Sequence, residues 1–235
     1  MPSMTMPFSV QNPKQIAGFE IGDAISFRLT VTDSDSWIDQ IRKIDIGEVH
    51  LPAATLTPIP SPAVNASPRL RDGDVMPRFE LVDQDGHKIS LDTFRGHPLV
   101  LTFIFTRCPI PNFCPLMSKN FADLQDAIKN GSGPLAQTRL LSISFDVDFD
   151  TPHILKNFAE HEHADPNVWM FATGNKVEVN NLTHEFSVYM QPESGTISHG
   201  LATALITDDG KIDKIWRGNG WIPSEIIREI DADKN

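Results

Sequence analysis

Residues 98–131 read PLVLTFIFTRCPIPNFCPLMSKNFADLQDAIKNG, and their pattern decides the fold class. The apolar run 98–105 lacks alternation, the mark of a strand covered on both faces. Apolar residues then recur at 116, 117, 121, 124 and 128, a helical period, with Pro115 suited to the first turn and Gly131 to the C-terminal cap. RLLSISF at 139–145 supplies the next buried strand. Strand, helix and strand in that order form a βαβ unit with a right-handed crossover.

The same alternation runs on in both directions. Upstream, RFELVDQDGHKISL (78–91) is a hairpin with Asp-Gly at its turn. Downstream come a helix opened by Asp150, Thr151 and Pro152, a strand VWMFAT (168–173) and a helix KVEVNNLTHEF (176–186). A hairpin ATALITDDGKIDKIWRG (202–218) and a last helix from about Pro223 complete the chain. This order predicts an α/β protein, a mixed central sheet flanked by helices.

Residues 52–68 read PAATLTPIPSPAVNASP, nearly uncharged and proline-rich, a composition that favours extended backbone and buries little. We place a linker over 47–73, between an N-terminal segment 1–46 and a region 74–235 of ordinary domain size. The N-terminal segment is patterned for strands: MTMPFSV (4–10), DAISFRLTV (23–31) and SWIDQIRKIDI (36–46). Three strands make a small open sheet with little core, so an all-β unit of this size predicts further chain before Met1.

A net charge of −11 and a pI near 5.1, with no basic cluster, argue against a nucleic-acid partner. No run of 18 apolar residues exists to form a transmembrane segment. The opening MPSMTMPFSV also lacks the charged start, apolar core and cleavage site of an export signal.

The chain has two cysteines, Cys108 and Cys114, with five residues between them and each followed by proline. Cys108 falls just past the carboxyl end of a central strand and Cys114 at the start of the next helix, the crevice where α/β sheets bind ligands. A helix N-terminus lowers the pKa of a nearby thiol, and a thiolate attacks disulfides and binds soft metals. Three readings stay open: buried fillers, a redox pair, or two ligands of a soft metal. A metal needs a third ligand, and of eight histidines His199, in GTISHGLATALITDDG, lies just before the strand expected to return beside the first central one. His161 and His163 are two apart and share no helical face, so HEHADP reads as a helix end.

FIFTRCPIPNFCPLM, ISFDVDFDTPHILKNFAE and SHGLATALITDDGKI together resemble the Sco/SenC family, from about Met76 to the C-terminus. That resemblance implies a thioredoxin-like fold and a copper metallochaperone serving assembly of the CuA centre of cytochrome c oxidase. By the same resemblance Cys108, Cys114 and His199 bind copper, Cu(I) and also Cu(II). Asp146, in the DVDFDTP element, is expected to lie near the cysteines and tune them. The implied partner is the oxidase subunit that carries CuA, or another copper-accepting protein, in the periplasm or another extracytoplasmic space. The spacing departs from the family, which usually has three residues between the cysteines where this chain has PIPNF. It departs too from Cys-x-x-Cys redox enzymes, and Leu201 and Ala202 stand where thioredoxins have a cis-proline. The rival readings are a thiol–disulfide oxidoreductase, a peroxide-reducing protein, or a redox or copper sensor.

MPSMTMPFSVQNPKQIAGFEIGDAISFRLTV resembles the later half of CusF-like OB-fold copper-binding domains. There a Met-x-Met strand supplies two ligands, which assigns Met4 and Met6 to a second, incomplete copper site. The upstream histidine and strands of that family are absent: either the barrel has degenerated, or a start placed inside the gene accounts for this and for the missing export signal, the reading we favour.

Overall fold

A computed structural model describes residues 10, 12–20, 23–31, 36–44, 69–193 and 196–232. These fall into two compact units, one of residues 10–44 and 109–111 and one of residues 69–108 and 112–232.

In the N-terminal unit β1 (Ile25–Val31) pairs antiparallel with β2 (Ser36–Lys43), and Val10 bridges Ile38 in parallel. Two of the three expected strands are therefore present; of the first, 4–10, only Val10 is described, and Met4 and Met6 lie outside the described residues. Arg28 closes the pair by donating to Asp39 through Nε at 2.8 Å and Nη2 at 3.0 Å. Among the described residues only Ile38 is a fully buried apolar side chain here, while Ile25 and Phe27 are each 37% exposed.

The C-terminal unit is built on a seven-stranded mixed sheet, β3 (Glu80–Asp83), β4 (Lys88–Ser90), β5 (Leu99–Ile104), β6 (Arg139–Ser144), β7 (Trp169–Thr173), β10 (Ala202–Ile206) and β11 (Ile212–Arg217). Their spatial order is β11-β10-β5-β6-β7-β3-β4. β5, β6 and β7 are parallel, and the outer pairs are antiparallel. Every residue of β5 is buried, as the unbroken apolar run requires.

Helix α1 (Cys114–Asn130) crosses from β5 towards β6, followed by a short α2 (Gly133–Gln137). Its buried stripe is Cys114, Met117, Phe121, Leu124 and Ile128, each apolar side chain contributing about 1.5–3 kcal/mol on burial. The expected period holds except at Leu116, which is only partly buried. Gly131 ends the helix with extended backbone rather than a left-handed turn. Its place is set by space: a Cβ there would lie 2.8 Å from the Ala127 carbonyl oxygen and 2.9 Å from Leu135 Cδ2.

Helices α3 (Pro152–His161), α4 (Lys176–Glu185) and α5 (Pro223–Ala232) match the remaining expectations. Phe121 of α1 packs on Trp169 and Phe158 of α3 on Phe171, and these two β7 residues share one face, so both crossover helices cover the same side. One element was not foreseen: a separate hairpin of β8 (Met190–Glu193) and β9 (Thr196–His199). His199 accordingly ends a strand. Residues 70–76 are tied to this unit: Leu70 donates to Glu185, Gly73 to Ile212 and Met76 to Gly210 through backbone bonds.

Candidate metal centre

Because β10 runs antiparallel to β5, with Thr203 opposite Thr102, its start lies beside the carboxyl end of β5. The segment after Ile104 and the segment before Ala202 therefore meet. Cys108 hangs from the first, Cys114 begins α1, and His199 ends β9 immediately before β10. Their ligand atoms lie within 4.8 Å of one another, and among the described residues no other group of three or more His, Cys, Asp or Glu is so placed. The five-residue spacing thus still brings both sulfurs to one point.

The histidine is held in a defined tautomer. Nδ1 lies 2.7 Å from the carbonyl oxygen of Gly200, which only accepts, so Nδ1 carries the proton and donates it. Nε2 is then the ring nitrogen that faces Cys114 Sγ, 3.7 Å away. A backbone carbonyl orienting the far nitrogen is the usual support of a metal-ligating imidazole. Three phenyl rings wall the imidazole: Phe105 and Phe113 edge-on at 5.4 and 5.5 Å, and Phe145 tilted at 4.8 Å. His199 is 3% exposed and Cys114 2%, whereas Cys108 is half-buried.

Burial pushes the Cys114 thiol well above the ordinary thiol range. Its hydrogen bond with Cys108 and the charge of that neighbour add to the rise, and a backbone hydrogen bond at Phe105 only partly opposes it. Burial at Cys114 thus works against the lowering expected from the helix N-terminus, and the resulting shift is upward. A metal ion entering the site takes the place of its proton.

Asp146 is 7% exposed and accepts from Arg107, from Nη2 at 2.6 Å and Nε at 3.1 Å. The guanidinium also lies 4.0 Å from the Phe149 ring centre. Asp146 thereby anchors the residue next to Cys108. Asp150, read from sequence as part of a helix opening, is wholly buried. It accepts from the Thr106 N–H at 3.0 Å, and from the Thr106 and Ser144 hydroxyls at 2.5 Å each. Thr151 is the residue that caps α3, accepting from Ile154 N. The far end of the cysteine loop is clipped by Asn219, which donates to the Asn112 carbonyl at 2.8 Å. A signal for Asp150 was available: an acid just beyond a buried strand that ends in Ser144.

Two thiols and one imidazole form a donor set for a soft ion, Cu(I) above hard cations that prefer oxygen. Fold and site together define a thioredoxin-like protein with a Cys₂His cluster at the strand-to-helix turn. The SCO1/SenC family model matches residues 68–233, and the chain belongs to that family. Residues 1–43 match the model for the copper binding periplasmic protein CusF.

The SCO1 protein homolog of Bacillus subtilis is 31% identical over 159 residues, 66% of this chain and 80% of that protein. Peroxiredoxin Bcp of Escherichia coli is 33% identical over 150 residues, 63% of this chain and 85% of its own length. Among solved structures, a SCO1/SenC family lipoprotein of Bacillus anthracis superposes with a TM-score of 0.60 at 30% identity, covering 68% of this chain and 95% of that one. Arabidopsis thaliana ScoI with copper bound gives 0.58 at 22% identity, over 67% of this chain and 99% of that one, which shows the shared fold.

Proposed function

We propose that this protein is a copper metallochaperone of Sco type that delivers copper during assembly of the CuA centre of an extracytoplasmic cytochrome c oxidase. The observation that carries the reading is the convergence of Cys108 Sγ, Cys114 Sγ and the His199 ring nitrogen within 4.8 Å. Copper is cargo here. The half-buried Cys108 meets the donor or acceptor, while Cys114 and His199 hold the ion away from water behind three phenyl rings. Family membership, and copper in the ScoI structure, support copper as the ion. We extend the proposal to Met4 and Met6 as ligands of a second copper site in the CusF-like segment 1–46, joined by the linker 47–73 to the domain 74–235. The periplasmic CusF model and the Sco lipoprotein support an extracytoplasmic location. Asp146, holding Arg107 beside Cys108, serves as the tuning group.

Titration of the reduced protein with Cu(I) against a competing chelator tests the reading. Wild type binds one equivalent at the domain site, and Cys108→Ser, Cys114→Ser and His199→Ala each weaken it by more than the about 10–100-fold that losing a hydrogen-bond partner of a ligand typically costs. Unchanged affinity in all three variants refutes copper binding there. The similarity to a peroxiredoxin and the contact between the thiols favour a second reading, peroxide reduction with Cys108 as nucleophile and Cys114 as resolving thiol. In that chemistry two thiols give a disulfide and two waters or alcohol and water, and His199→Ala leaves the rate largely intact. In the copper reading His199→Ala weakens Cu(I) binding as the cysteine variants do.

A further inference from the structure

We infer that Met190 is an entry ligand for Cu(I), a thioether that catches the ion at the rim of the Cys₂His cluster before Cys108, Cys114 and His199 take it. The inference rests on the copper reading of that cluster. Met190 stands directly opposite His199 in the antiparallel β8–β9 pair. Directly opposed residues project to the same face, with Cβ atoms about 4.5–5.5 Å apart. His199 uses that face to reach Cys114, so the Met190 side chain lies on the side of the cluster.

Burial grades the donors from outside to inside. Met190 is half-buried, whereas Cys114 and His199 are sealed. Other described methionines are badly placed for entry: Met76 and Met117 are 2% and 0% exposed, and Met170 lies on β7, two strands from β5. The hairpin is also secured at this end, since the Gly200 N–H donates to the Tyr189 carbonyl at 3.0 Å and Tyr189 Cδ1 would sit 3.3 Å from any Cβ at Gly200. That packing keeps the strand bearing Met190 against the strand bearing His199.

A thioether is a soft but neutral ligand, so it accepts Cu(I) without losing a proton and holds it less tightly than two thiolates. In the transfer the Cu–S bond to Met190 breaks as bonds to both cysteine sulfurs and to His199 Nε2 form. The two thiol protons leave to solvent, and no electron changes hands.

The test loads reduced full-length protein from Cu(I) held by a peptide whose only donors are methionines, followed by the thiolate-to-copper absorption in the near ultraviolet. Met190→Leu, close in volume and without sulfur, is expected to load about tenfold more slowly than wild type. In a Cys114→Ser background, where the thioether remains a needed ligand, the same change is expected to weaken Cu(I) binding about tenfold. A loading rate equal to wild type overturns the inference. So does slowed loading with no loss of affinity in the Cys114→Ser background, which marks altered packing. Wild-type protein that fails to bind Cu(I) overturns both this and the reading beneath it.

Discussion

Replacing Asp150 separates its role in holding the cysteine loop from the role of a helix cap. The carboxylate is wholly buried and accepts three hydrogen bonds, from the Thr106 N–H, the Thr106 hydroxyl and the Ser144 hydroxyl. Hydroxyls can turn to other acceptors, but the Thr106 N–H cannot. Asp150→Ala leaves that donor stranded, about 1–3 kcal/mol, and removes two charge-assisted bonds of about 1.5–3 kcal/mol each, partly offset because a carboxylate no longer has to be buried. A net loss of about 3–5 kcal/mol follows, equivalent to roughly 6–20 °C in Tm for a domain of this size. Asp150→Asn keeps an acceptor oxygen for the N–H and gives up the charge, a loss of about 1–2 kcal/mol. Urea unfolding of the reduced, metal-free protein measures both, with the midpoint moving and the slope constant. Thr106 lies two residues before Cys108, so the Asn variant should also alkylate faster at Cys108 while still folded. An Asp150→Ala protein within about 0.5 kcal/mol of wild type refutes the account, as it would if Asp150 only decorated a helix end that Thr151 already caps.

The Cys114 thiol is raised in the folded state, chiefly by burial, so the native protein keeps a proton that the unfolded chain releases. Its contribution to stability is complete below the unfolded thiol pKa, near ~8.5, and is lost as pH rises beyond it towards the folded value. Chemical unfolding of the reduced protein from pH 7 to 10 should show this decline, and Cys114→Ala should flatten it; an identical slope in the variant contradicts the assignment. Gly131→Ala would drive a methyl against the Ala127 carbonyl and Leu135, and should cost about 1–3 kcal/mol by thermal unfolding. A neutral result would show that α2 can shift away freely.

What the sequence made legible follows from which signals are local. β5, α1 and β6 were readable because an unbroken apolar run and a stripe at helical spacing each report burial along a single element. The β8–β9 hairpin was not, since MQPE carries Pro192, which demotes a strand, and the pair lies outside the main sheet. With it went the exact address of His199 and the whole case for Met190. Cys114 illustrates the same divide in electrostatics. Its place at a helix start can be read along the chain and suggests a lowered pKa, but desolvation depends on the core built by distant segments, and it prevails. Asp150 was read as a cap from DTP alone, because its true partners, Thr106 and Ser144, come from two other segments. The widened cysteine spacing looked like the weakest point of the site for a related reason. Spacing along a loop is not what gathers the donors. Antiparallel β10 returns beside β5, β9 delivers His199 to that junction, and α1 starts there, so the sheet fixes two of the three ligands and the PIPNF loop has only to bring Cys108 to meet them.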